Sequence, residues 1–271
     1  MAIELTAVTY RYPGSRTPAL GPVDLVVERG RVLGVAGANE SGKTTLCLVA
    51  SGLAPAVVGG KLDGSVRIDG VDAATLRPYE LAQRCGVLFQ HAQTQLSHTT
   101  ATVFEEVGFG PCNLGRAIPE VTERVWWALR AIGAEALAPR DPSRLSGGQS
   151  QLVALASVLA LRPKYLILDE PTSELDPAGT RLIADALARV AAETGAGILV
   201  VEHRLDVLSQ IADEVMVLAH GQVALSGPAA TVLSDPRLGG LGVEPPSAAR
   251  LSNAVRGAGM EWTAAMAGAV K

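Results

Sequence analysis

The sequence predicts an α/β fold with a parallel sheet, an antiparallel β-subdomain and an inserted helical subdomain, and three observations support this fold class. Short strand-like segments separated by turn dipeptides fill the first 70 residues. A helical pattern of apolar residues covers 102–132. Runs of aliphatic and β-branched residues, typical of parallel strands buried on both faces, occur at 86–89, 165–168 and 197–201.

The N-terminal region predicts the antiparallel sheet. Its first strand alternates apolar and polar residues, which places Ile3, Leu5 and Ala7 on one buried face. Further strands of this sheet are expected at 24–27, 31–36 and 65–68. The segment 31–36 also leads into a glycine-rich loop, after which a helix is expected at 45–51.

The rest of the chain predicts the remaining units. We expect the helical pattern to break at 108–119, which contains glycines and prolines. The inserted helical subdomain should then cover about 91–154. The last predicted strands, which flank a hairpin turn, are 214–219 and 222–226. We expect one main domain at 1–235 and a C-terminal extension at 236–271, where glycine, proline and alanine become frequent.

The composition argues against several classes of protein. The longest uncharged apolar run, 152–161, is about half of the ~20 residues that a membrane-spanning helix needs. The N-terminus lacks a basic-then-apolar signal segment, so we expect a cytoplasmic location. Three cysteines without a C-x-x-C pair argue against disulfides and zinc. The net charge of −4 argues against a nucleic-acid partner.

A phosphate-binding pattern lies between a predicted strand and a predicted helix. Its residues fit G-x-x-x-x-G-K-[ST] and are Gly37, Ala38, Asn39, Glu40, Ser41, Gly42, Lys43 and Thr44. The glycines let the backbone wrap phosphates, Lys43 reaches the terminal phosphates and Thr44 can ligate Mg²⁺. Thr45, the next residue, is included in the predicted nucleotide site. Glu40 would repel phosphate, so we expect it to point outward. A chance match is the alternative, which the strand–loop–helix context disfavours.

Two carboxylates end the aliphatic run at 165–168. Asp169 at such a strand end can hold Mg²⁺, and Glu170 can polarise an attacking water. By itself this pair is more typical of an ordinary acidic turn. Its spacing from the phosphate-binding pattern, and the motif that lies between them, favour the catalytic interpretation.

The most specific motif is a pentamer. It consists of Leu145, Ser146, Gly147, Gly148 and Gln149. Ser146 suits a helix N-cap, and the two glycines allow close backbone approach to an anion. Here the chain resembles the ABC ATPase family, whose signature motif has the same five letters, and the resemblance covers roughly 1–235. It implies a RecA-like P-loop NTPase core with ATP and Mg²⁺ as cofactors.

The resemblance implies roles for residues outside these motifs. Tyr12 resembles the aromatic residue that stacks on adenine, with an edge-strand tyrosine as the alternative. Gln90 resembles the glutamine that contacts Mg²⁺ and senses the membrane partner. Asp176 lies in a segment similar to the D-loop, although Glu174 replaces a residue that is more often small. His203 resembles the switch histidine at the γ-phosphate, whereas a lone histidine is usually structural.

The implied mechanism is a two-site sandwich, in which the signature helix of a second subunit closes over ATP on the P-loop. The two ATPase subunits would form either a homodimer or a heterodimer. Glu170 would position the lytic water, while His203 and Lys43 would stabilise charge on the transferring phosphoryl group. The implied catalytic set is Glu170, His203, Lys43 and Gln90. The implied Mg²⁺ ligands are Thr44, Gln90 and Asp169.

Four segments resemble the ATPases of energy-coupling-factor importers, namely 104–111, 113–115, 201–206 and 241–246. Those importers take up vitamins or transition-metal ions through an integral coupling subunit and a substrate-binding membrane subunit. The chain would then be peripheral, at the cytoplasmic face of the membrane. The segment 150–152 lacks the basic residues of many relatives. Three alternatives stay open: an ATPase of another ABC importer class, a soluble non-transport ABC ATPase, and a non-hydrolysing regulatory paralogue.

The extension predicts one further helix. Ser247 suits its N-cap, Gly257 suits its C-terminal stop, and Ala248, Leu251 and Val255 form one apolar stripe. So short a helix is not stable by itself, so the stripe should be buried. We expect it at the interface between two ATPase subunits, with packing against its own domain as the alternative.

Overall fold

The structure, a computed structural model, describes residues 1–251, which form two sheets with surrounding helices. The strands are β1 (Ala2–Arg11), β2 (Leu20–Glu28), β3 (Val32–Gly37), β4 (Lys61–Ile68), β5 (Val71–Asp72), β6 (Cys85–Leu88), β7 (Tyr165–Asp169), β8 (Gly197–Val201), β9 (Glu214–Ala219) and β10 (Gln222–Pro228). The α-helices are α1 (Lys43–Ala50), α2 (Leu53–Ala56), α3 (Pro78–Arg84), α4 (Val103–Asn113), α5 (Ile118–Ala131), α6 (Gly147–Ala160), α7 (Pro177–Thr194), α8 (Leu205–Ile211) and α9 (Ala229–Val232). Short 3₁₀ turns cover Ala73–Thr75, Ala92–Gln95, Glu135–Leu137, Pro142–Arg144 and Pro236–Leu241.

The larger sheet has the strand order β10-β9-β3-β8-β7-β6, and its neighbours are parallel except for the β9–β10 hairpin. The three predicted aliphatic runs form β6, β7 and β8, and every residue of β7 and β8 is buried. The α/β class and the predicted hairpin are therefore confirmed. Parallel strands end at one edge of the sheet, so the residues after β3, β6, β7 and β8 lie close together.

The prediction that 31–36 belongs to the antiparallel sheet is wrong. β3 lies between β8 and β9 in the larger sheet and pairs with both in parallel. All of its residues are buried, and they alternate between two apolar clusters. Val32 packs in the cluster on the helical side, whereas Leu33 packs in the cluster shared with the smaller sheet and α1. A strand buried on both faces needs a layer on each side, and the centre of the larger sheet provides both.

The smaller sheet has the order β2-β1-β4-β5 with antiparallel neighbours. The predicted alternation fails at Ala7, which is exposed while Val8 is buried. Ala7 has φ 47°, and the register of β1 with β2 shifts between Leu5 and Val8. An extra residue of this kind is a β-bulge, and it moves every following side chain to the other face.

The helical segment that follows β6 contains α4 and α5, which pack on α6 and on the apolar cluster of the larger sheet. The expected break at 108–119 is shorter, because α4 continues through Gly108 and Pro111 to Asn113. A Cβ atom at Gly108 would lie 3.2 Å from Val121 on α5. This glycine therefore serves close helix packing and does not end the helix.

The segment after Pro236 packs on its own domain as far as the structure describes it. Leu238 is fully buried, and Ser247 donates two hydrogen bonds of 2.8 Å to the Asp206 carboxylate on α8. Residues 247–251 are helical, with Ala248 and Leu251 exposed. Val255 and Gly257 lie outside the described residues. No helix within 1–251 has the length and apolar character needed to cross a membrane.

Candidate functional site

The loop between β3 and α1 requires glycine at two positions. A Cβ atom at Gly37 would collide with the Ser41 hydroxyl, and one at Gly42 would lie 2.8 Å from the Ala19 carbonyl oxygen. Gly42, the N-cap of α1, has φ 101°, which favours glycine. Glu40 is exposed but also lines the cleft described below, so its expected outward orientation stays a prediction. The loop and the first residues of α1 line an open cleft of about 540 Å³, so the N–H groups of this helix end are available to an anion.

Lys43 is folded back onto this loop. Its Nζ donates to the carbonyl oxygens of Gly37, at 3.0 Å, and Ala38, at 2.8 Å, and the residue is buried. Burial lowers the pKa of Lys43, and the charges of Glu170 and Asp169 oppose that effect. The ammonium group is thus held by neutral carbonyls, which a charged phosphate oxygen can replace because charge-assisted hydrogen bonds are stronger.

Asp169 ends β7 beneath this cleft. Its side chain is buried, and among the described residues its Oδ1 has no hydrogen-bond partner. Burial raises the pKa of Asp169, while the hydroxyl of Thr44 lowers it. An unpaired buried oxygen is costly, and a hard divalent cation is a partner that a carboxylate fits. The Thr44 hydroxyl and the Gln90 amide add oxygen donors of the same class, so these residues fit the implied Mg²⁺.

Glu170, the next residue, is held from both sides. His203 Nε2 lies 2.7 Å from its Oε1, and Gln90 Nε2 donates to its Oε2 at 3.1 Å. Gln90 follows β6 and His203 follows β8, so three neighbouring strand ends supply this cluster. Glu170 has φ 54°, a strained conformation for a residue other than glycine. Glu170 also lines the cleft together with Lys43, Gln90 and His203.

The cleft includes residues that the sequence patterns do not indicate. The β9–β10 turn contributes His220 and Gly221, and the Gly221 N–H donates to the Ser41 carbonyl at 2.9 Å. Ala19, before β2, also lines the cleft. The hairpin thus supports the phosphate-binding loop from a distant part of the chain. A turn dipeptide alone gives no signal of such a role.

Tyr12 lies beside the loop but outside the lining of the cleft. Its hydroxyl is 3.1 Å from Thr45 Oγ1, and its ring meets Tyr10 edge-on at 5.0 Å. It follows β1, which lies between β2 and β4 and is not an edge strand. The adenine-stacking role stays a prediction.

The signature pentamer forms a second helix N-terminus, at the start of α6. The Ser146 Oγ accepts from the Gln149 N–H at 3.4 Å, and the Ser146 N–H donates to the Gln149 side chain at 3.1 Å. This is the predicted N-cap, in a capping box. Neither the pentamer nor Asp176, which caps α7 through the Gly179 N–H, lines the cleft of Lys43.

Glu174 lies against the signature glycines. A Cβ atom at Gly147 would collide with the Glu174 carboxylate, and one at Gly148 would lie 3.0 Å from the Glu174 carbonyl oxygen. The backbone contact leaves little room for a side chain at Gly148, whereas the flexible Glu174 side chain could move away from a side chain at position 147. At the start of α6, Ser146 is exposed and Gly147 and Gly148 are half-buried, and the contact with Glu174 places a negative charge where the helix favours an anion.

A strand–loop–helix whose loop can bind an anion, with carboxylates at the end of β7 in the same sheet, is the arrangement of a P-loop nucleotide site. Residues 20–173, more than half of the 271 residues, match the family model described as ABC transporter. The chain belongs to the ABC transporter ATP-binding family, and the expected P-loop NTPase fold is confirmed.

Individual relatives agree with this family. The energy-coupling factor transporter ATP-binding protein EcfA of Methanothermobacter thermautotrophicus is 38% identical over 266 residues, which cover 96% of this chain and 81% of that protein. CbiO1 from Clostridium perfringens, part of the ABC transporter complex CbiONQ, has a TM-score of 0.75 and 32% identity over 87% of this chain and 92% of that chain. A dimeric bacterial ABC transporter cassette has a TM-score of 0.74 and 28% identity, over 84% and 98%.

The chain spans 42% of the length of one 38% identical ABC transporter ATP-binding protein, from Methanosarcina mazei. That match covers 90% of the present chain. The similarity to energy-coupling-factor ATPases that the sequence predicts is confirmed by the relatives above.

Proposed function

We propose that the chain is the ATP-hydrolysing subunit of an energy-coupling-factor importer for a vitamin or a transition-metal ion, located at the cytoplasmic face of the membrane. The observation that carries hydrolysis is the Glu170 carboxylate, held between His203 and Gln90 in a cleft that also contains Lys43. The similarity to EcfA and CbiO1 supports the importer class. An ATPase of another ABC importer class is the second candidate.

Phosphate binding would begin at the loop. The free N–H groups at the start of α1 attract the anion, and Lys43 exchanges the carbonyls of Gly37 and Ala38 for phosphate oxygens. Thr44, Asp169 and Gln90 would hold Mg²⁺, which neutralises charge on the phosphate oxygens. The buried, unpaired Oδ1 of Asp169 supports this assignment.

Hydrolysis would use the cluster at the end of β7. Both carboxylate oxygens of Glu170 are bound by side chains, and an attacking water would reach the base by taking the place of one of these donors or by using a remaining lone pair. His203, once released, can donate to the phosphoryl oxygens, which gain charge in the transition state. Gln90 and His203 are therefore the groups that exchange partners when the nucleotide binds.

A second ATPase subunit would complete the site. The signature residues at the start of α6 do not line the cleft of Lys43, although their glycines are shaped for close approach to an anion. In a symmetric pair, each α6 would face the nucleotide of the other chain. The dimeric cassette with the same fold supports this arrangement.

A groove beside Gln90 suits an integral membrane subunit. Its volume is about 430 Å³, and its lining includes Phe89 and Phe109, which are 36% and 42% exposed. The Phe89 N–H donates to the Gln95 side chain at 3.1 Å, so this wall is continuous with the loop of Gln90. An apolar segment of the coupling subunit, seated here, would move Gln90 and with it Glu170.

The proposal is tested by isolating the tagged full-length chain from solubilised membranes of the cells that produce it. We expect two different integral proteins to co-purify, a coupling subunit and a substrate-binding subunit, together with ATP hydrolysis. Phe109→Asp should lose both proteins, because a charge enters the apolar groove, and Lys43→Ala should keep them.

Each other outcome selects an alternative. Hydrolysis without any membrane subunit would contradict transport and favour a soluble ABC ATPase. ATP binding without hydrolysis in the assembled complex would favour a regulatory paralogue. Integral subunits of a single kind would favour another importer class.

A further inference from the structure

A buried carboxylate lies directly before His203 and takes no part in the site described above. Glu202 follows β8 and is 2% exposed. Its Oε1 accepts two hydrogen bonds from Thr172, one from the backbone N–H at 3.1 Å and one from the hydroxyl at 2.7 Å. The Glu202 N–H donates to the Val35 carbonyl of β3 at 3.1 Å. The carboxylate is thus anchored to the centre of the larger sheet.

The partner of this carboxylate, Thr172, is two residues beyond Glu170 and is fully buried. Between them the chain turns sharply, and the Ser173 N–H donates back to the Glu170 carbonyl at 3.2 Å. Glu170 itself has the strained φ of 54°. Such a conformation persists only where the surrounding contacts determine it. The contacts of Thr172 with Glu202 fix the far side of this turn.

Two further contacts fix the near side. The Glu170 N–H donates to the Val201 carbonyl at 3.0 Å, and the Gln151 side chain donates to the Glu170 carbonyl at 3.3 Å. The end of β8 therefore holds Glu170 three times: through the Val201 backbone, through Glu202 and Thr172, and through the His203 side chain. Of these contacts, only the one with His203 would change in the proposed hydrolysis.

We propose that Glu202 is a positioning residue, which clamps the turn through Thr172 and so holds the Glu170 carboxylate opposite His203. The inference rests on the proposed ATP hydrolysis. A catalytic group must be held within a fraction of an ångström of its productive position, and loops reach this precision through a supporting layer of buried hydrogen bonds. The clamp acts on the orientation of the base, not on the nucleotide.

The ionisation of Glu202 predicts a pH dependence by which this positioning role can be tested. Burial raises the pKa of Glu202 to about 7, the hydrogen bonds from Thr172 lower it, the charge of Glu170 raises it and that of Arg204 lowers it. The ionised form is the better double acceptor, so the clamp is strongest above pH 7 and weakens below it. The Glu202→Gln variant keeps an acceptor oxygen at this position but cannot titrate. The ratio of the wild-type rate to the Glu202→Gln rate should therefore fall as the pH drops through 7.

A matched pair of variants separates this role from stability. Thr172→Val removes the hydroxyl that donates to Glu202, whereas Tyr165→Phe removes a hydroxyl that donates at 2.6 Å to another carboxylate, Asp69, away from the cleft. ATPase kinetics of the full-length variants would be measured with thermal unfolding. We expect Thr172→Val to lower kcat roughly tenfold at unchanged KM for ATP, since a small displacement of a catalytic group has large effects. Tyr165→Phe should keep wild-type kcat.

The results distinguish a failure of the positioning role of Glu202 from a failure of the proposed ATP hydrolysis. Equal kcat for both hydroxyl variants, or a Thr172→Val effect confined to KM, would overturn the clamp. If Thr172→Val does not fold, the pH ratio decides, and a flat ratio between pH 6 and 8 overturns the clamp. If the wild-type chain with its partners does not hydrolyse ATP, the proposed function fails instead.

Discussion

The helices α1 and α6 both begin at glycines, and both N-termini are of the kind that binds an anion, yet their surroundings differ. Around α1 the same chain supplies the Lys43 cation, the Glu170 carboxylate and two histidines in one cleft, with the buried Asp169 carboxylate beneath it. At α6 the first turn is closed by its own capping box, and the nearest charged group seen against its glycines is the carboxylate of Glu174. In the proposed function, the start of α1 would form one half of an ATP site, and the start of α6 would face the nucleotide of another chain.

This difference predicts two kinds of variant. Changes around α1 should alter nucleotide binding or chemistry within a single chain. Changes around α6 should leave the affinity of the single chain for ATP unchanged. They should alter only the association of two chains and the hydrolysis that requires it. The largest effects are expected at the α1 side, where the proposed base Glu170 would act directly on the attacking water.

The largest effect should follow from Glu170→Gln. Removing the base should cut hydrolysis at least about 100-fold. ATP affinity should be retained, because the contacts of Lys43 with phosphate do not involve this side chain. Steady-state hydrolysis and titration calorimetry on the same preparation measure both quantities. Turnover close to that of the wild type would show that Glu170 is not the base.

A smaller effect is expected at Tyr12, which adjoins the loop through Thr45. Tyr12→Ala should weaken ATP binding by about 1–3 kcal/mol if the ring stacks on the base, whereas Tyr12→Phe and Tyr12→Trp should not. GTP should bind nearly as well as ATP, because stacking does not distinguish base edges. If all four proteins bind ATP equally, Tyr12 has only a packing role with Tyr10.

The smallest effect should arise at α6. Glu174→Ala removes a carboxylate from the signature glycines, and a charge at a helix N-terminus contributes about 0.3–1 kcal/mol. ATP-dependent association of two chains should strengthen roughly two- to fivefold, on that scale. Glu174→Gln, which keeps the size, should do the same if charge is the cause. Analytical ultracentrifugation with ATP is the measurement, and weaker association of both variants would mean that Glu174 supports the interface.

The sequence contains enough to predict these two helix ends but less about what surrounds them. Motifs such as 37–44 and 145–149 are local, so their loop and cap geometries follow from residue type. Which of the two sheets β3 joins depends on the layers that cover it. The exposure of Ala7 results from a β-bulge, which the alternation of apolar and polar residues does not predict. Glycine is a residue type that predicts a break in a helix, yet Gly108 lies within α4 and allows it to pack closely against α5.

The sequence also does not predict the residues that support the proposed catalytic cluster of Glu170, Gln90 and His203. In the sequence, Glu202 is an ordinary acidic residue beside a histidine, and only the fold brings its carboxylate to Thr172. His220 enters the cleft through a hairpin far along the chain from the loop that it adjoins. Long-range packing of this kind is set by topology and cannot be derived from spacing in one sequence.

The central claim, that each ATP site combines α1 of one chain with α6 of another, is tested most directly by mixing two inactive variants. Lys43→Ala disables the α1 side, and Ser146→Arg blocks the α6 side at an exposed residue. The second change also removes the N-cap hydroxyl of α6, a loss of about 1 kcal/mol that thermal unfolding would check. Each variant alone should be inactive. An equal mixture should regain about a quarter of wild-type hydrolysis. Random pairing makes about half of the dimers mixed, and in each mixed dimer one of the two sites combines an intact α1 with an intact α6. Failure of the mixture to regain activity, or full activity of Ser146→Arg alone, would contradict the account.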